Sequence, residues 1–349
     1  MLPGVQSAAR ASDGELGLAL LCVGAGALAT MRAAGVVVDR LGRRVLPVGV
    51  AIFGAAALLP ALARSPLALA GALLALGAAS GALDVALNAE GVRAEAVGGR
   101  VLTLAHGAFS ALVVVASLLT GAAREAGAGP VLVLGSVAAA LACLAAVLLR
   151  VPSAPVAARG GGDTPRRSLR VPRALLVLGG LTALAFFVEN AWQSWSALHL
   201  ERTLGATPAI AALGPALFAG AAATGRLTGH GLANRAPERT LLTGGALLAA
   251  AGTLLAATAV SVPVALIGIA LAGIGTSVLA PILIGLAGRV SGVAKGAAVS
   301  TVTTLAYLGF LVGPAVVGLL AGAATLRVAL AAVAALAFTL ALLVRSAVE

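Results

Sequence analysis

The side chains best equipped for chemistry stand almost alone in an apolar sequence. Glu189, Trp192, Gln193, Ser196 and His199 follow the spacing i, i+3, i+4, i+7 and i+10. On a helix this gives one stripe carrying a carboxylate, an indole, an amide, a hydroxyl and an imidazole. Ser80, Asp84 and Asn88, four apart, likewise share one helical face. Arg32 and His106 add a fixed cation and a titratable ring on two further segments. Such groups can exchange a proton and hydrogen-bond a polar solute. They lack the spacing of a nucleophile–base pair, a metal cluster or a phosphate-binding loop, so no enzyme activity, metal or cofactor is expected.

The elements that must carry these groups follow from composition. Of 349 residues, 60% are hydrophobic and 10% charged, and the mean hydropathy is +1.09. Eleven apolar runs fall at 16–38, 45–63, 67–89, 101–122, 129–149, 174–199, 208–231, 240–259, 262–287, 294–321 and 325–344. About 20 apolar residues cross a ~30 Å hydrocarbon layer as a helix. A soluble helical protein would need charged outer faces, which these runs lack. The expected fold class is therefore all-α, a polytopic membrane protein with the lipid bilayer as its surroundings. Cys22 and Cys143 lie inside apolar runs and read as buried small residues rather than a disulfide.

The net charge of +11 does not point to nucleic acid, because the basic residues sit between the runs and not on an amphipathic face. Alternate junctions hold 16 Lys and Arg, while the others hold 5, namely Arg10, Arg64, Arg124, Arg202 and Arg327. The positive-inside rule places the richer side in the cytoplasm, with the C-terminus inside and the N-terminus outside. Residues 151–172 form the only long polar stretch, rich in Pro, Gly and Arg, and read as a flexible cytoplasmic linker. It divides a five-helix bundle, 1–150, from a six-helix bundle, 173–349. The halves echo each other: an offset of 194 superposes Thr30 on Thr224, Arg32 on Arg226 and Gly35 on Gly229. Repeated halves with a site between them are a common transporter architecture.

The densest charge lies in Gly35-x-x-x-Asp39-Arg40-x-Gly42-Arg43-Arg44. As a topology anchor it explains the arginines but neither the acid nor the glycines. Gly35 would permit close helix approach, and Gly42 a tight turn, with Asp39 to Arg44 forming the turn itself. This stretch resembles the signature between helices two and three of the major facilitator superfamily. "GALDVALNAEG", "HGAFS", "ENAWQSWSAL" and "YLGFLVGP" are similar to a branch of bacterial members distantly related to sugar–proton symporters. The resemblance spans nearly the whole chain. It implies two pseudo-symmetric bundles in the bacterial plasma membrane, a monomer, and a cytoplasmic latch made by the signature. The family has twelve helices, and its signature follows the second. Residues 1–17 accordingly resemble the outer end of helix one and the loop after it. A translation start placed too far downstream is the preferred expectation, with loss of a cavity-lining helix as the alternative.

Depth sorts the remaining groups. Arg32 lies about 10 Å inside Asp39, and Asp84 and His106 fall at a similar level. The three are expected to form either a network coupling proton or substrate, or a static ion pair. Arg226 has no acid evident at its level and is expected to snorkel to the cytoplasmic interface. Glu189, mid-membrane, is the candidate for proton coupling or substrate contact. Trp192, Gln193 and Ser196 are expected around a solute, whereas Trp195 and His199 also fit an interfacial belt. Tyr307, Thr304 and Ser300 share a face that could line the cavity from the second half, and Pro314 and Pro281 interrupt their helices. The expected function is secondary active transport of a small polar solute, proton-coupled. A drug or metabolite exporter and a non-transporting membrane protein are the alternatives.

Overall fold

A computed structural model describes residues 1–42, 45–95, 101–150, 172–233, 236–290 and 295–347. Arg43, Arg44 and all but the last residue of the 151–172 linker lie outside these, as do the side chains of Asp39, His106 and Ser300. The described residues are helical almost throughout. The first half comprises α1 (Leu2–Ala9), α2 (Asp13–Leu41), α3 (Val45–Leu62), α4 (Pro66–Glu95), α5 (Val101–Glu125) and α6 (Pro130–Arg150). The second comprises α7 (Arg173–Leu198), a π-helical turn (His199–Thr203), α8 (Pro208–Ala211), α9 (Leu213–Ala233), α10 (Glu238–Thr258), α11 (Val262–Ser277), α12 (Leu279–Ala287), α13 (Lys295–Ala323) and α14 (Leu326–Ala347). Among the described residues, ten spans are long and apolar enough to cross a membrane. The 25-residue α5 completes the eleven runs read from the sequence.

Local chemistry sets several boundaries that hydropathy leaves open. Ser12 and Glu15 form a reciprocal capping box: the Ser12 amide donates to Glu15 Oε2 at 2.8 Å, and the Glu15 amide donates to Ser12 Oγ at 3.3 Å. This starts α2 at Asp13. The far end of α2 does not stop at Asp39. The helix continues through Leu41 and ends at Gly42, whose φ of 60° is accessible without strain only to glycine. Asp39 therefore belongs to the last turn of the helix and not to the loop, because no residue before Gly42 breaks the helix. The 262–287 run divides into α11 and α12 at Val278, next to Pro281. Proline supplies no N–H to the preceding turn.

Lipid offers no hydrophobic drive for helix association, so small residues that let backbones approach do this work. A Cβ on Gly77 of α4 would overlap the Val23 carbonyl of α2, and one on Gly309 of α13 would overlap the Ala183 carbonyl of α7. Gly35 does not play this part, for the space beside it is open. The two cysteines are free, but they are not buried: Cys143 is exposed and Cys22 half-buried. α2 packs on α4 in the first half as α9 packs on α11 in the second. Across the halves, α2 meets α13, and α5 meets α9.

Candidate functional site

Glu189 lies sixteen residues into α7. Its Oε1 accepts two bonds, one from Gln193 Nε2 at 3.1 Å and one from Arg226 Nη2 of α9 at 3.0 Å. The carboxylate side chain is 13% exposed and the Arg226 side chain 40% exposed. Arg226 thus does not stand alone at the interface, as expected from depth along the sequence, but pairs with the central acid. Counting Cα levels misses this because an arginine stem carries its charge several ångströms along the bundle.

The polar stripe of α7 divides along its length. At roughly 100° per residue, Trp192 and His199 lie on one flank of Glu189 and Gln193 on the other. Gln193 is exposed, whereas Trp192, Ser196 and His199 are fully buried. Trp192 Nε1 donates to Thr253 Oγ1 of α10 at 3.0 Å, and His199 Nε2 donates to the Ala256 carbonyl at 2.9 Å. The indole and imidazole meet edge to face at 6.3 Å. Ser196 is packed beneath Gly214 of α9. Trp192 and Ser196 therefore hold α7 in its bundle and do not line an accessible site here. Trp195 is buried too, which removes the interfacial belt as its role, and its Nε1 donates to the Pro314 carbonyl at 3.2 Å.

The break at Pro314 is bracketed from α7. Pro314 has no N–H, so the Phe310 carbonyl four residues earlier loses its usual helical donor. Asn190 Nδ2 donates to that carbonyl, and Asn190 Oδ1 accepts from Ser194 Oγ at 3.2 Å. One residue beside the central acid thereby ties α7 to the interrupted turn of α13. Asn190→Leu is expected to lower the thermal midpoint by several degrees, since a buried unsatisfied carbonyl costs about 1–3 kcal/mol. Pro314→Ala restores the missing amide and should remove most of that loss in the double variant. Additive losses in a double-mutant cycle would refute the link.

In the first half, Asn88 Nδ2 donates to Asp84 Oδ1 at 3.1 Å and to the Asp84 carbonyl at 2.9 Å. Both residues are exposed, as is Arg32. No ion pair joins Arg32 to Asp84 among the described residues. The expected buried three-way network therefore reduces, where described, to the Asp84–Asn88 pair, because neither charge is buried enough to require the other. Tyr307 lies on α13 of the opposite half. Tyr307 is 44% exposed and stands edge to face with Phe310.

A second cluster, unforeseen from sequence, fastens the halves at the arginine-poor face. Arg124 at the end of α5 makes two parallel bonds to Glu201 of the π-turn, at 2.8 and 2.9 Å. The neighbouring Arg202 donates to Asp13 of α2 at 2.8 Å, and Gln6 of α1 donates to the same oxygen at 2.7 Å. Glu125 Oε2 accepts from the Ala209 amide of α8 at 3.1 Å. Beneath these bonds, Gly17 of α2 and Gly318 of α13 meet closely enough that a Cβ on either would overlap the other's backbone. The only sequence signal was charge adjacent to spans, which could not reveal pairs 77 and 189 residues apart.

Two helical bundles of repeated design, joined at one face and carrying ionised groups between spans, define a multi-pass membrane transporter fold. The Major Facilitator Superfamily profile matches residues 175–348. An uncharacterised MFS-type transporter of Yersinia pestis is 33% identical over 334 residues, covering 95% of this chain and 86% of the relative. The chain belongs to the major facilitator superfamily. A mutant of the nucleoside transporter NupG superposes with a TM-score of 0.81 at 13% identity, covering 100% of this chain and 94% of that one. A bacterial homologue of the human lysosomal transporter Spinster gives 0.76 at 18% identity, covering 99% and 92%. These two likenesses establish the fold.

Proposed function

We propose that this chain is a secondary active transporter that moves a small polar solute by alternating access and couples that movement to protons at Glu189. The observation that carries the reading is the Glu189–Arg226 pair. A carboxylate inside a membrane span, shared between a cation and an amide, is costly to maintain without a purpose. Taking up a proton would release Arg226, and losing it would restore the pair, so protonation and helix contacts are linked. Asp84, Asn88, Tyr307 and Gln193 would line the solute path.

The positive-inside rule puts the arginine-rich face in the cytoplasm, with the C-terminus, in a bacterial inner membrane. The fastened face is then external, and the described conformation is shut towards the outside. Gly35, Asp39, Arg40, Gly42, Arg43 and Arg44 would form the opposing cytoplasmic latch, made in the outward-open state. The chain would act as a monomer. Burial of Trp192 takes its indole off the solute path, leaving charge as the better guide to the solute.

The test is uptake into proteoliposomes of a radiolabelled panel of sugars, polyols, amines and carboxylates. One solute should accumulate when a pH gradient is imposed and equilibrate when a protonophore collapses it. Accumulation indifferent to the gradient would remove proton coupling.

A further inference from the structure

Arg32 and Arg226 lie inside membrane-spanning helices, and the internal repeat relates them. The offset that places Thr30 on Thr224 places Arg32 on Arg226. Each threonine hydroxyl lies within bonding distance of the carbonyl four residues earlier, Gly26 and Gly220, although the shortest contact of Thr30 is to the Ala78 carbonyl of α4 at 2.8 Å. Their helices occupy corresponding places: α2 spans from α4 across to α13, and α9 spans from α11 across to α5. The repeat thus sets one arginine in each half at corresponding positions on the two helices, each of which packs against the other half. Towards the arginine-poor face that seam is fastened by Arg124–Glu201 and Arg202–Asp13. At the level of the two arginines both side chains are exposed.

Their partners differ. Arg226 gives one nitrogen to Glu189, whereas Arg32 pairs with no carboxylate among the described residues. A guanidinium offers five N–H donors in a planar fork that matches a carboxylate with two parallel bonds. A single bond to Glu189 leaves most of that capacity unused, and Arg32 leaves all of it. We propose that Arg32 and Arg226 form an anion site between the two halves, which takes a small monocarboxylate.

The site explains the ion pair beside it, resting on the reading of Glu189 as the proton carrier. An entering carboxylate competes with Glu189 for Arg226. Glu189 binds one proton as it yields, Arg226 stays protonated, and the solute's negative charge replaces the one lost. The pair of solute and proton then crosses without net charge. Among the described residues, Arg226 is the one charged group in contact with Glu189. Asp84 is exposed on α4, the helix that packs against the α2 of Arg32. A second negative group on the solute would meet it, which favours one carboxylate over two.

The test uses the full chain in phosphatidylcholine nanodiscs, with lactate as the anion, succinate as the dianion, and galactose and ethanolamine as neutral and cationic controls at matched ionic strength. Lactate should raise the thermal midpoint, bind more tightly as pH falls, and outbind succinate; the controls should have no effect. Arg32→Gln and Arg226→Gln should each weaken lactate about 10- to 100-fold. Arg32→Lys and Arg226→Lys keep the charge and should retain part of the affinity, which separates binding from misfolding. Adding phosphatidylglycerol should leave lactate binding in place. The site is overturned if lactate acts no better than galactose, if its binding survives both glutamine substitutions, or if phosphatidylglycerol alone gives the protection. Lactate binding that needs both arginines but ignores pH would keep the anion site and refute Glu189 as proton carrier. Proton-driven uptake of galactose would do the reverse.

Discussion

Glu189→Gln is expected to abolish accumulation driven by a pH gradient, reducing the internal solute to its equilibrium level while exchange across the membrane continues. Glutamine keeps the shape and the acceptor oxygen used by Gln193 and Arg226, but it cannot load or release a proton. The substitution also strands a positive charge, since Arg226 loses its counterion within a membrane-spanning helix. A loss of activity could therefore come from either cause. Exchange and thermal stability, read on the same single variant, separate them. If the pair is merely a structural tie, the thermal midpoint falls and exchange is lost together with accumulation. If Glu189 carries the proton, exchange continues while gradient-driven accumulation fails. Full gradient-driven uptake by the single variant in proteoliposomes would dispose of the coupling role altogether.

The pair also shows where sequence reasoning stops. The helices were legible because about 20 apolar residues have few other uses, and ten of the runs reappear as spans among the described residues. The Asp84–Asn88 bond was legible as well, being an i, i+4 contact within one helix. Glu189 could be singled out by its depth alone. Its partner could not, because Arg226 is 37 residues away on a separate helix and the long side chain blurs any count of levels. The fate of Trp192 was hidden for a different reason. A stripe of i, i+3 and i+4 covers a wide arc, and only the position of α10 decides which edge of it is buried. Gly35 was open to misreading in the same way: glycines permit close contact, but Gly77 and Gly309 are the ones that meet a neighbouring backbone.

The fastening at the arginine-poor face is the second place where a large effect is expected. Arg124 and Glu201 are 13% and 25% exposed and bonded through both nitrogens, so the pair is screened less than a surface ion pair. Hydrogen bonds to charged groups are worth ~1.5–3 kcal/mol each. Losing this tie should shift the balance between the closed and open states of this face about tenfold to a hundredfold towards open. Arg124→Glu goes further, because it sets two acids against each other where the halves meet. Spin labels at Leu67→Cys and Val260→Cys report the opening, with Cys22 and Cys143 replaced by serine. Both positions are over 80% exposed; Leu67 opens α4, and Val260 lies in the turn just before α11, the corresponding helix of the second half. Wild type should give one short distance, and Arg124→Glu should add a longer population. Reversing the partner as well, Glu201→Arg, rebuilds the pair with its charges exchanged and should return the short distance. The neighbouring Arg202–Asp13 bond and the Gly17–Gly318 contact are untouched by the exchange, so they cannot account for a recovery. A distance distribution unchanged by Arg124→Glu would show that the helix contacts alone close this face. The ion pair would then be a passenger on them.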